Sequence, residues 1–321
     1  MNNIVLGTMN IGYPHTSNPH ATIKDYTKII ETYLNCTPTS TAILDTAYYY
    51  GNTKCEQILG EILPALSYFP KIATKVNPWL DNDFTNGKLG QLSLQGTMYQ
   101  FTTSLKNLQV DNVEYLFLHC PDHETPLEET LYVCTTLWRK EKFHKFGISN
   151  YSLLQTQQLL DVCEENGYVL PTCYQGMYNL VSRKVEEIFP LLDNYNIDFW
   201  AYNPLAGGLL TGKYTRTTTE EPSRFKNNSI YQNIYWKPTI IQKLIPFFEQ
   251  GVDVCTQQSF EWLQHYSKMR LFDKIILGAS TEEQLINNIQ KIGTRQVTSK
   301  DLYFANKLYS HIEHISPSYY Y

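Results

Sequence analysis

The chain has 321 residues, of which 42% are hydrophobic and 18% are charged, a composition typical of a globular protein with a large core. Its formal net charge of −5 argues against a general nucleic-acid binder, whose surface is usually basic. No uninterrupted apolar run approaches the roughly 20 residues that a membrane span needs, and the N-terminus lacks the basic and apolar regions of a signal peptide. The seven cysteines show no CxxC spacing, which predicts reduced thiols and a cytoplasmic location.

Eight short apolar runs alternate with segments of helical periodicity along the chain. The runs are the length of buried strands, whereas the segments between them repeat apolar residues every three or four positions. The fourth helix is expected to begin with Thr125 as its N-cap and Pro126 at its first position. The predicted strands are 4–9, 41–46, 71–76, 113–119, 145–150, 172–175, 198–203 and 274–280, and the predicted helices are 21–35, 54–67, 93–109, 125–140, 152–166, 183–195, 281–291 and 300–313.

This alternation predicts a (β/α)8 barrel, the TIM-barrel fold, in a single domain that comprises residues 1–321. A doubly wound sheet is less consistent with the sequence, because no Gly-x-Gly-x-x-Gly follows the first strand. Residues 214–273, between strands 7 and 8, exceed an ordinary connection. They are expected to form an extra loop with one or two helices over the top of the barrel.

Polar side chains follow the predicted strands at their C-terminal ends, where barrel enzymes have their active sites. Asp45 ends the second strand, Tyr50 follows in the next turn, Lys75 ends the third strand and His119 the fourth. An ammonium near a phenol favours the phenolate and so lowers the ordinary phenol pKa of about 10. We therefore predict one pocket in which Tyr50 gives a proton to a carbonyl oxygen, Asp45 holds Lys75, and His119 orients the substrate while a nicotinamide delivers hydride.

The same rim carries side chains that suit a nicotinamide cofactor. The amides of Asn150 and Gln175 match the carboxamide of the nicotinamide, and the ring of Tyr202 offers a face for stacking. Further residues at the predicted strand ends are Met9, Ser149, Asn203 and Ser280.

Motifs that extend over almost the whole chain occur in a fixed order. They are Leu6-Gly7-Thr8-Met9, Leu44-Asp45-Thr46-Ala47-x-x-Tyr50, and the segments 71–75, 118–123, 147–151, 171–178 and 203–214. In this order the sequence resembles the aldo-keto reductase superfamily, and within it the aflatoxin aldehyde reductase branch. The resemblance implies a (β/α)8 barrel, NADPH as hydride donor, a small-molecule carbonyl substrate, a homodimer, and catalytic roles for Asp45, Tyr50, Lys75 and His119.

The resemblance also implies which residues contact the ligands. Ser149, Asn150 and Gln175 would meet the nicotinamide, the segment 203–213 would wrap the pyrophosphate, and a helix start after strand 8 would hold the adenosine end. The implied cofactor contacts are Met9, Asp45, Ser149, Asn150, Gln175, Tyr202, Asn203, Pro204, Leu205, Gly208, Leu210, Gly212, Lys213, Arg224, Ser280, Gln284 and Asn288. The implied substrate contacts are Tyr50, His119, Trp79, Tyr235 and Trp236.

The sequence departs from the family pattern in three places. Thr53-Lys54-Cys55-Glu56 stands where the family has Gly-x-Ser-Glu, which is expected to change the loop more than the chemistry. The arginines that receive a substrate carboxylate align with Ile234 and Tyr321, so acidic aldehydes are not expected to be preferred. Ala279 and Gln284 are neutral where many members carry a basic residue for the 2′-phosphate, which leaves the selectivity for NADPH over NADH open.

Alternative interpretations remain at the sequence level. A non-catalytic relative that binds the nucleotide as a sensor or partner subunit would carry many of the same motifs. A metal-dependent barrel hydrolase could use His119, Asp122 and His123, although no further ligand is evident, so that loop hydrogen bonding is favoured for the last two and no metal is expected. Tyr235 and Trp236 either line a substrate pocket or pack the long segment.

Overall fold

A computed structural model describes residues 3–12, 20–82, 87–213, 229–292 and 299–320. Within these ranges eight parallel strands form a closed barrel in chain order, and the last strand is hydrogen-bonded to the first. The predicted (β/α)8 barrel is therefore confirmed. The strands are β1 (Ile4–Gly7), β2 (Ile43–Asp45), β3 (Lys71–Val76), β4 (Val113–Leu118), β5 (Phe143–Ser149), β6 (Cys173–Met177), β7 (Asp198–Tyr202) and β8 (Lys274–Gly278).

Helices connect successive strands. The predicted helix 183–195 is divided into a 3₁₀ helix, Lys184–Ile188, and a short α-helix that has a proline in its first turn. No helix of the described ranges is long and apolar enough to cross a bilayer. The α-helices are α1 (Ile23–Asn35), α2 (Cys55–Ile62), α3 (Leu94–Leu108), α4 (Leu127–Arg139), α5 (Leu153–Asn166), α6 (Phe189–Asn194), α7 (Ser229–Tyr235), α8 (Pro238–Phe248), α9 (Val252–His265), α10 (Glu282–Lys291) and α11 (Ser299–Ser310).

Side-chain caps fix where several helices begin. Ser152 caps α5 in a capping box, in which its hydroxyl accepts from the backbone N–H of Gln155 and the Gln155 side chain accepts from the Ser152 N–H. The prediction that Thr125 caps α4 is wrong, because α4 begins one residue later with Pro126 in the N-cap position. The Thr125 hydroxyl donates to Asp122 Oδ2 over 2.9 Å, which ties Thr125 to the loop before the helix.

The insertion predicted at residues 214–273 contains three α-helices in its described part, α7, α8 and α9, one more than predicted. Residues 214–228 lie outside the described ranges. The last residue of α7, Tyr235, donates from its hydroxyl to the sulfur of Met177, which ends β6. This contact places α7 at the C-terminal rim of the barrel, as the sequence predicted for part of the insertion.

The lower barrel is filled by side chains rather than open. Trp200 is fully buried at its centre, and its ring centroid lies 4.8 Å from that of Tyr115 and 5.4 Å from that of Phe117. This interior cluster comprises Val5, Ile43, Ala73, Tyr115, Phe117, Cys173, Trp200 and Ile276. A packed interior leaves the C-terminal rim as the place for a ligand.

Gly147 in β5 is expected to be intolerant of a side chain. A Cβ at this position would lie 2.3 Å and 2.4 Å from two ring atoms of Phe117 and 2.8 Å from the sulfur of Cys173. Gly147→Ala should therefore destabilise the fold by about 1–3 kcal/mol through overpacking, measured as a lower urea midpoint with an unchanged slope. A second substitution, Phe117→Leu, should restore part of the loss, because it removes the clashing ring atoms. An unchanged midpoint in Gly147→Ala would contradict this packing.

Candidate active site

Three strands and one turn bring the predicted catalytic residues together. Asp45 ends β2, Lys75 is the fifth residue of β3, and His119 follows β4 with its N–H bonded to the carbonyl of Val76 over 2.8 Å. The turn after β2 includes Gly51 at φ 60°, where a Cβ would lie 2.9 Å from a backbone oxygen. A residue without a Cβ is therefore required there, and the turn it permits directs Tyr50 toward the rim.

Lys75 lies at the centre of the site and is fully buried. Its Nζ donates to both carboxylate oxygens of Asp45 over 2.7 Å each and to the carbonyl of Thr46 over 2.8 Å. The same Nζ lies 3.4 Å from the hydroxyl of Tyr50 and 5.0 Å from the centroid of its ring. The ammonium therefore joins the carboxylate to the phenol. Sequence reasoning missed the Thr46 contact, because a backbone carbonyl leaves no sequence signal.

The Asp45–Lys75 pair is enclosed by protein. Burial lowers the pKa of Lys75, and the neighbouring Asp45 carboxylate opposes this effect by favouring the ammonium. Gln175 also donates from Nε2 to Asp45 Oδ1 over 2.8 Å, which supplies a second partner to the buried charge. A carboxylate held by two donors keeps the lysine fixed beside Tyr50.

His119 forms the wall opposite the phenol. Its ring centroid lies 5.7 Å from that of Tyr50 and 5.1 Å from that of Trp79. The Trp79 ring also contacts Tyr49, with 5.0 Å between the two centroids. Burial, and to a smaller degree the positive charge of Lys75, hold the pKa of His119 well below 6.5, so its imidazole is neutral. Its Nδ1 is buried without a hydrogen-bond partner among the described residues. Nε2 is then the nitrogen that can serve a ligand.

A polar network crosses the rim from β4 to β7. Asn150 has the left-handed φ of 64°, and its Nδ2 donates to the carbonyl of His119 over 2.9 Å and to Ser149 Oγ over 3.0 Å. Its Oδ1 accepts from the Tyr202 hydroxyl over 2.7 Å. Both N–H donors of Asn150 are thus used, whereas its Oδ1 accepts one bond and keeps a lone pair that could accept from a nicotinamide carboxamide.

The segment after β7 passes along the rim as a tight 3₁₀ turn, Ala206–Thr211. Four residues in and before it have positive φ, namely Asn203 at 55°, Ala206 at 50°, Gly207 at 68° and Gly208 at 101°. Such turns point successive backbone N–H groups in one direction, which suits an anion. Of the predicted contacts here, Pro204, Leu210 and Gly212 are buried, Asn203, Leu205 and Gly208 are half-buried, and Lys213 is exposed.

The end of β8 lies beside the end of β1. Ser280 Oγ accepts from Asn10 Nδ2 over 3.3 Å. Sequence reasoning did not name Asn10, although it directly follows the predicted cofactor contact Met9, which is half-buried. The Ser280 N–H donates to Gln284 Oε1 over 3.0 Å, and Thr281 caps α10. Asn288 is half-buried in the middle of α10, so the prediction that it lies at the start of this helix is wrong. Arg224 lies outside the described residues.

Tyr235 lies in the protein interior. Its side chain is fully buried, and its hydroxyl accepts from Asn179 Nδ2 over 3.2 Å. These contacts favour the packing alternative for Tyr235, and its contact with a substrate stays a prediction. Trp236 and Ile234 are half-buried, and Tyr321 lies outside the described residues.

Asp122 anchors a loop. Its Oδ2 accepts from the backbone N–H groups of Gly90 and Leu92 over 3.1 Å and 2.9 Å, and its Oδ1 accepts from that of Glu124 over 3.1 Å. Within the described ranges no group of three His, Cys, Asp or Glu side chains is placed to hold a metal ion. Loop hydrogen bonding, the favoured interpretation of Asp122, accounts for these contacts.

Comparisons with known proteins agree with this architecture. Residues 3–307 match the model of the Aldo/keto reductase family. The human protein named aflatoxin B1 aldehyde reductase member 2 is 39% identical over 77% of this chain and 72% of its own length, and the rat protein of that name is 35% identical over 98% and 87%. A solved glycerol dehydrogenase from Gluconobacter oxydans superposes with a TM-score of 0.72 over 98% of this chain and 92% of its own, at 22% identity, which shows a shared fold.

Proposed function

The chain belongs to the aldo/keto reductase family, and from this membership together with the geometry of the site we propose that it reduces aldehydes and ketones with NADPH, Tyr50 acting as the proton donor. It is an oxidoreductase of carbonyl compounds that uses a nicotinamide cofactor. We propose three finer assignments, which are NADPH as the cofactor, the roles of single residues, and the class of substrate. We also propose that residues 1–321 act as one domain.

One observation carries the catalytic assignment. Lys75 Nζ is fully buried, is held by both oxygens of Asp45, and lies 3.4 Å from the Tyr50 hydroxyl. A positive charge at this distance stabilises the phenolate that remains after proton transfer, and burial limits its screening by solvent. Tyr50 is therefore the group of this site best prepared to give a proton to a developing alkoxide.

His119 acts as a neutral hydrogen-bond donor in this proposal. The enclosed Nδ1 has no hydrogen-bond partner among the described residues, whether it carries the proton or not. A buried N–H without an acceptor costs more free energy than a buried nitrogen lone pair without a donor. The proton is accordingly placed on Nε2. The Nε2–H and the Tyr50 hydroxyl can then bind the same carbonyl oxygen, and Trp79 next to His119 restricts the substrate to the space between them.

The residues at the rim fit a nicotinamide cofactor. Gln175 uses Nε2 for Asp45, and in the proposed complex its Oε1 accepts from the carboxamide N–H. Ser149 and Tyr202 flank that position, and the turn at Ala206–Thr211 with Lys213 suits the pyrophosphate. A bound reduced nicotinamide supplies the hydride. Ser280, Gln284 and Asn288 are proposed to meet the adenosine end.

The proposal is tested by consumption of NADPH and of NADH with a panel of aldehydes and quinones. Turnover with NADPH is the expected result. Binding of nucleotide without turnover across the panel would contradict the proposal and favour a nucleotide-binding sensor or partner subunit. Light scattering of the same sample tests the homodimer that the resemblance implies.

Neutral aromatic aldehydes are expected to be better substrates than acidic aldehydes. Ile234 is hydrophobic, and by the family resemblance it aligns with an arginine that receives a substrate carboxylate. A charge-assisted hydrogen bond contributes roughly 1.5–3 kcal/mol, or about 10–150-fold in an equilibrium constant. We therefore predict a higher kcat/KM for 2-nitrobenzaldehyde than for succinic semialdehyde, and a shift of this ratio toward the acid in Ile234→Arg.

The control for this prediction is Ile234→Met, which changes the shape of the side chain without adding charge and should leave the ratio near that of the wild type. A wild-type kcat/KM for succinic semialdehyde well above that for the neutral aldehyde would contradict the prediction. It would indicate that another basic residue, such as Lys237, receives the carboxylate.

A further inference from the structure

A second buried carboxyl lies behind the catalytic pair, on the outer side of the barrel wall. Glu56, in the first turn of α2, is fully buried, and its Oε1 accepts from the hydroxyl of Thr74. Thr74 immediately precedes Lys75 in β3, and neighbouring strand residues point to opposite faces. Lys75 therefore points into the barrel, and Thr74 points outward to Glu56. The acidic group and the catalytic ammonium approach the same strand from its two sides.

The residue before Glu56 contacts the other strand that holds the ammonium. The thiol of Cys55 donates to the carbonyl of Thr8 over 3.4 Å and lies 3.5 Å from the hydroxyl of Thr46. The carbonyl of Thr46 in turn accepts from Lys75 Nζ. The first turn of α2 thus supports both strand ends around Lys75, at Thr46 on one side and at Thr74 on the other.

The charge of Glu56 is poorly compensated. Its Oε2 has no hydrogen-bond partner among the described residues, and neither has the nearby hydroxyl of Ser104 on α3. Burial raises the pKa of Glu56 to about 7, while the hydrogen bond from Thr74 and the charge of Lys75 oppose that rise. Among the described groups, Lys75 from β3 and the Cys55 thiol of its own helix are the titratable neighbours that act on it, and α3 contributes a hydroxyl without charge.

We propose that Glu56 is a positioning residue that sets the charge balance of the Asp45–Lys75–Tyr50 group from behind the barrel wall. This inference rests on the proposed function, because it concerns the acidity of Tyr50. Asp45 alone neutralises Lys75, so an ionised Glu56 makes the buried group net negative. A net negative surrounding disfavours the phenolate and keeps Tyr50 protonated to higher pH. Ionised Glu56 therefore extends carbonyl reduction toward alkaline pH.

The test compares the pH dependence of kcat/KM for aldehyde reduction in matched variants. In Glu56→Gln the alkaline limb is expected to move to lower pH by roughly half a unit or more, since one buried charge near the ammonium is lost. Thr74→Val removes the hydrogen bond that favours the ionised carboxyl, so a smaller shift in the same direction is expected. Glu61→Gln removes the same charge from the exposed face of α2 and should leave the limb in place.

Two further readouts separate this role from a purely structural one. The nucleotide Kd, followed by quenching of tryptophan fluorescence, should be unchanged in Glu56→Gln, since Glu56 does not contact the rim. The folded pKa of about 7 lies above the ordinary value of 4.5, so ionisation of Glu56 opposes folding. That loss of stability is absent below about pH 4.5 and complete above about pH 7. The Tm of Glu56→Gln relative to the wild type should therefore rise between these pH values.

Several results would overturn the inference. The first is a folded Glu56→Gln variant whose alkaline limb matches that of the wild type. The second is a Glu56→Gln variant whose kcat falls by the same factor at every pH. If Glu56→Gln does not fold, the decision rests on Thr74→Val, whose limb must then differ from that of Glu61→Gln. The proposed function fails separately, if the wild type shows no nucleotide-dependent reduction or if Tyr50→Phe retains it.

Discussion

Replacing Tyr50 with phenylalanine is expected to lower kcat for aldehyde reduction by about 10²–10⁴-fold, the usual contribution of a general acid. The variant deletes one oxygen, 3.4 Å from Lys75 Nζ, and leaves the ring in place. Because the phenol contributes little to nucleotide binding in the proposed site, the Kd for NADPH should change by less than about threefold. Steady-state kinetics and fluorescence titration of the same sample measure both quantities.

The two preceding tyrosines provide the matched controls. Tyr48 is buried, and Tyr49 lies against Trp79 at 5.0 Å, so neither hydroxyl is assigned to proton transfer. Tyr48→Phe and Tyr49→Phe should each retain turnover within about tenfold of the wild type. Wild-type kcat in Tyr50→Phe, together with an inactive Tyr49→Phe, would move the proton donor to the neighbouring residue.

Lys75→Met is expected to abolish measurable activity near neutral pH and to destabilise the protein. The ammonium stabilises the phenolate of Tyr50, and without it the phenol is a weaker acid. The substitution also leaves the buried Asp45 carboxylate with Gln175 as its remaining side-chain donor. Removing one partner of a buried ion pair typically costs about 3–5 kcal/mol. Chemical denaturation and aldehyde kinetics at several pH values check both effects.

Lys71→Met is the control on the same strand. Lys71 is half-exposed at the start of β3, where its Nζ lies 3.6 Å from Glu114. An exposed ion pair of this kind contributes about 0–1 kcal/mol, so this variant should keep both fold and turnover. Full activity of a folded Lys75→Met protein would remove the proposed mechanism.

The number and order of the strands could be predicted because each strand is a continuous apolar run between helical patterns. The limits of the strands were harder to predict where their residues are polar. β5 begins at Phe143, which pairs with Val113, and not at the predicted residue 145. The prediction missed this start because His144 and Lys145 are polar and exposed, and so interrupt the apolar run. The start of α4 was misplaced by one residue, since residue type alone suggested Thr125 as the cap, whereas Thr125 belongs to the loop that Asp122 holds.

The positions of the catalytic side chains followed from strand ends, because parallel strands of a barrel end at one rim. Contacts made by backbone groups or by distant residues could not be predicted in this way. The bond from Lys75 to the Thr46 carbonyl has no residue signature. The burial of Tyr235 depends on Asn179, 56 positions earlier in the chain. The sequence identified the segment around Cys55 as a departure from the family, but the contact of Glu56 with Thr74 required the structure.

The closure of the barrel has a consequence for synthesis on the ribosome. β1 must pair with β8, whose Ile275 is the partner of Ile4, as well as with β2. At translation rates of about 5–20 residues per second, the roughly 270 residues between them take about 14–54 s to emerge. During this interval one edge of the growing sheet has no partner, and such edges attract strands of other chains. The nascent chain therefore exposes an unpaired strand edge to other chains until its eighth strand has left the exit tunnel.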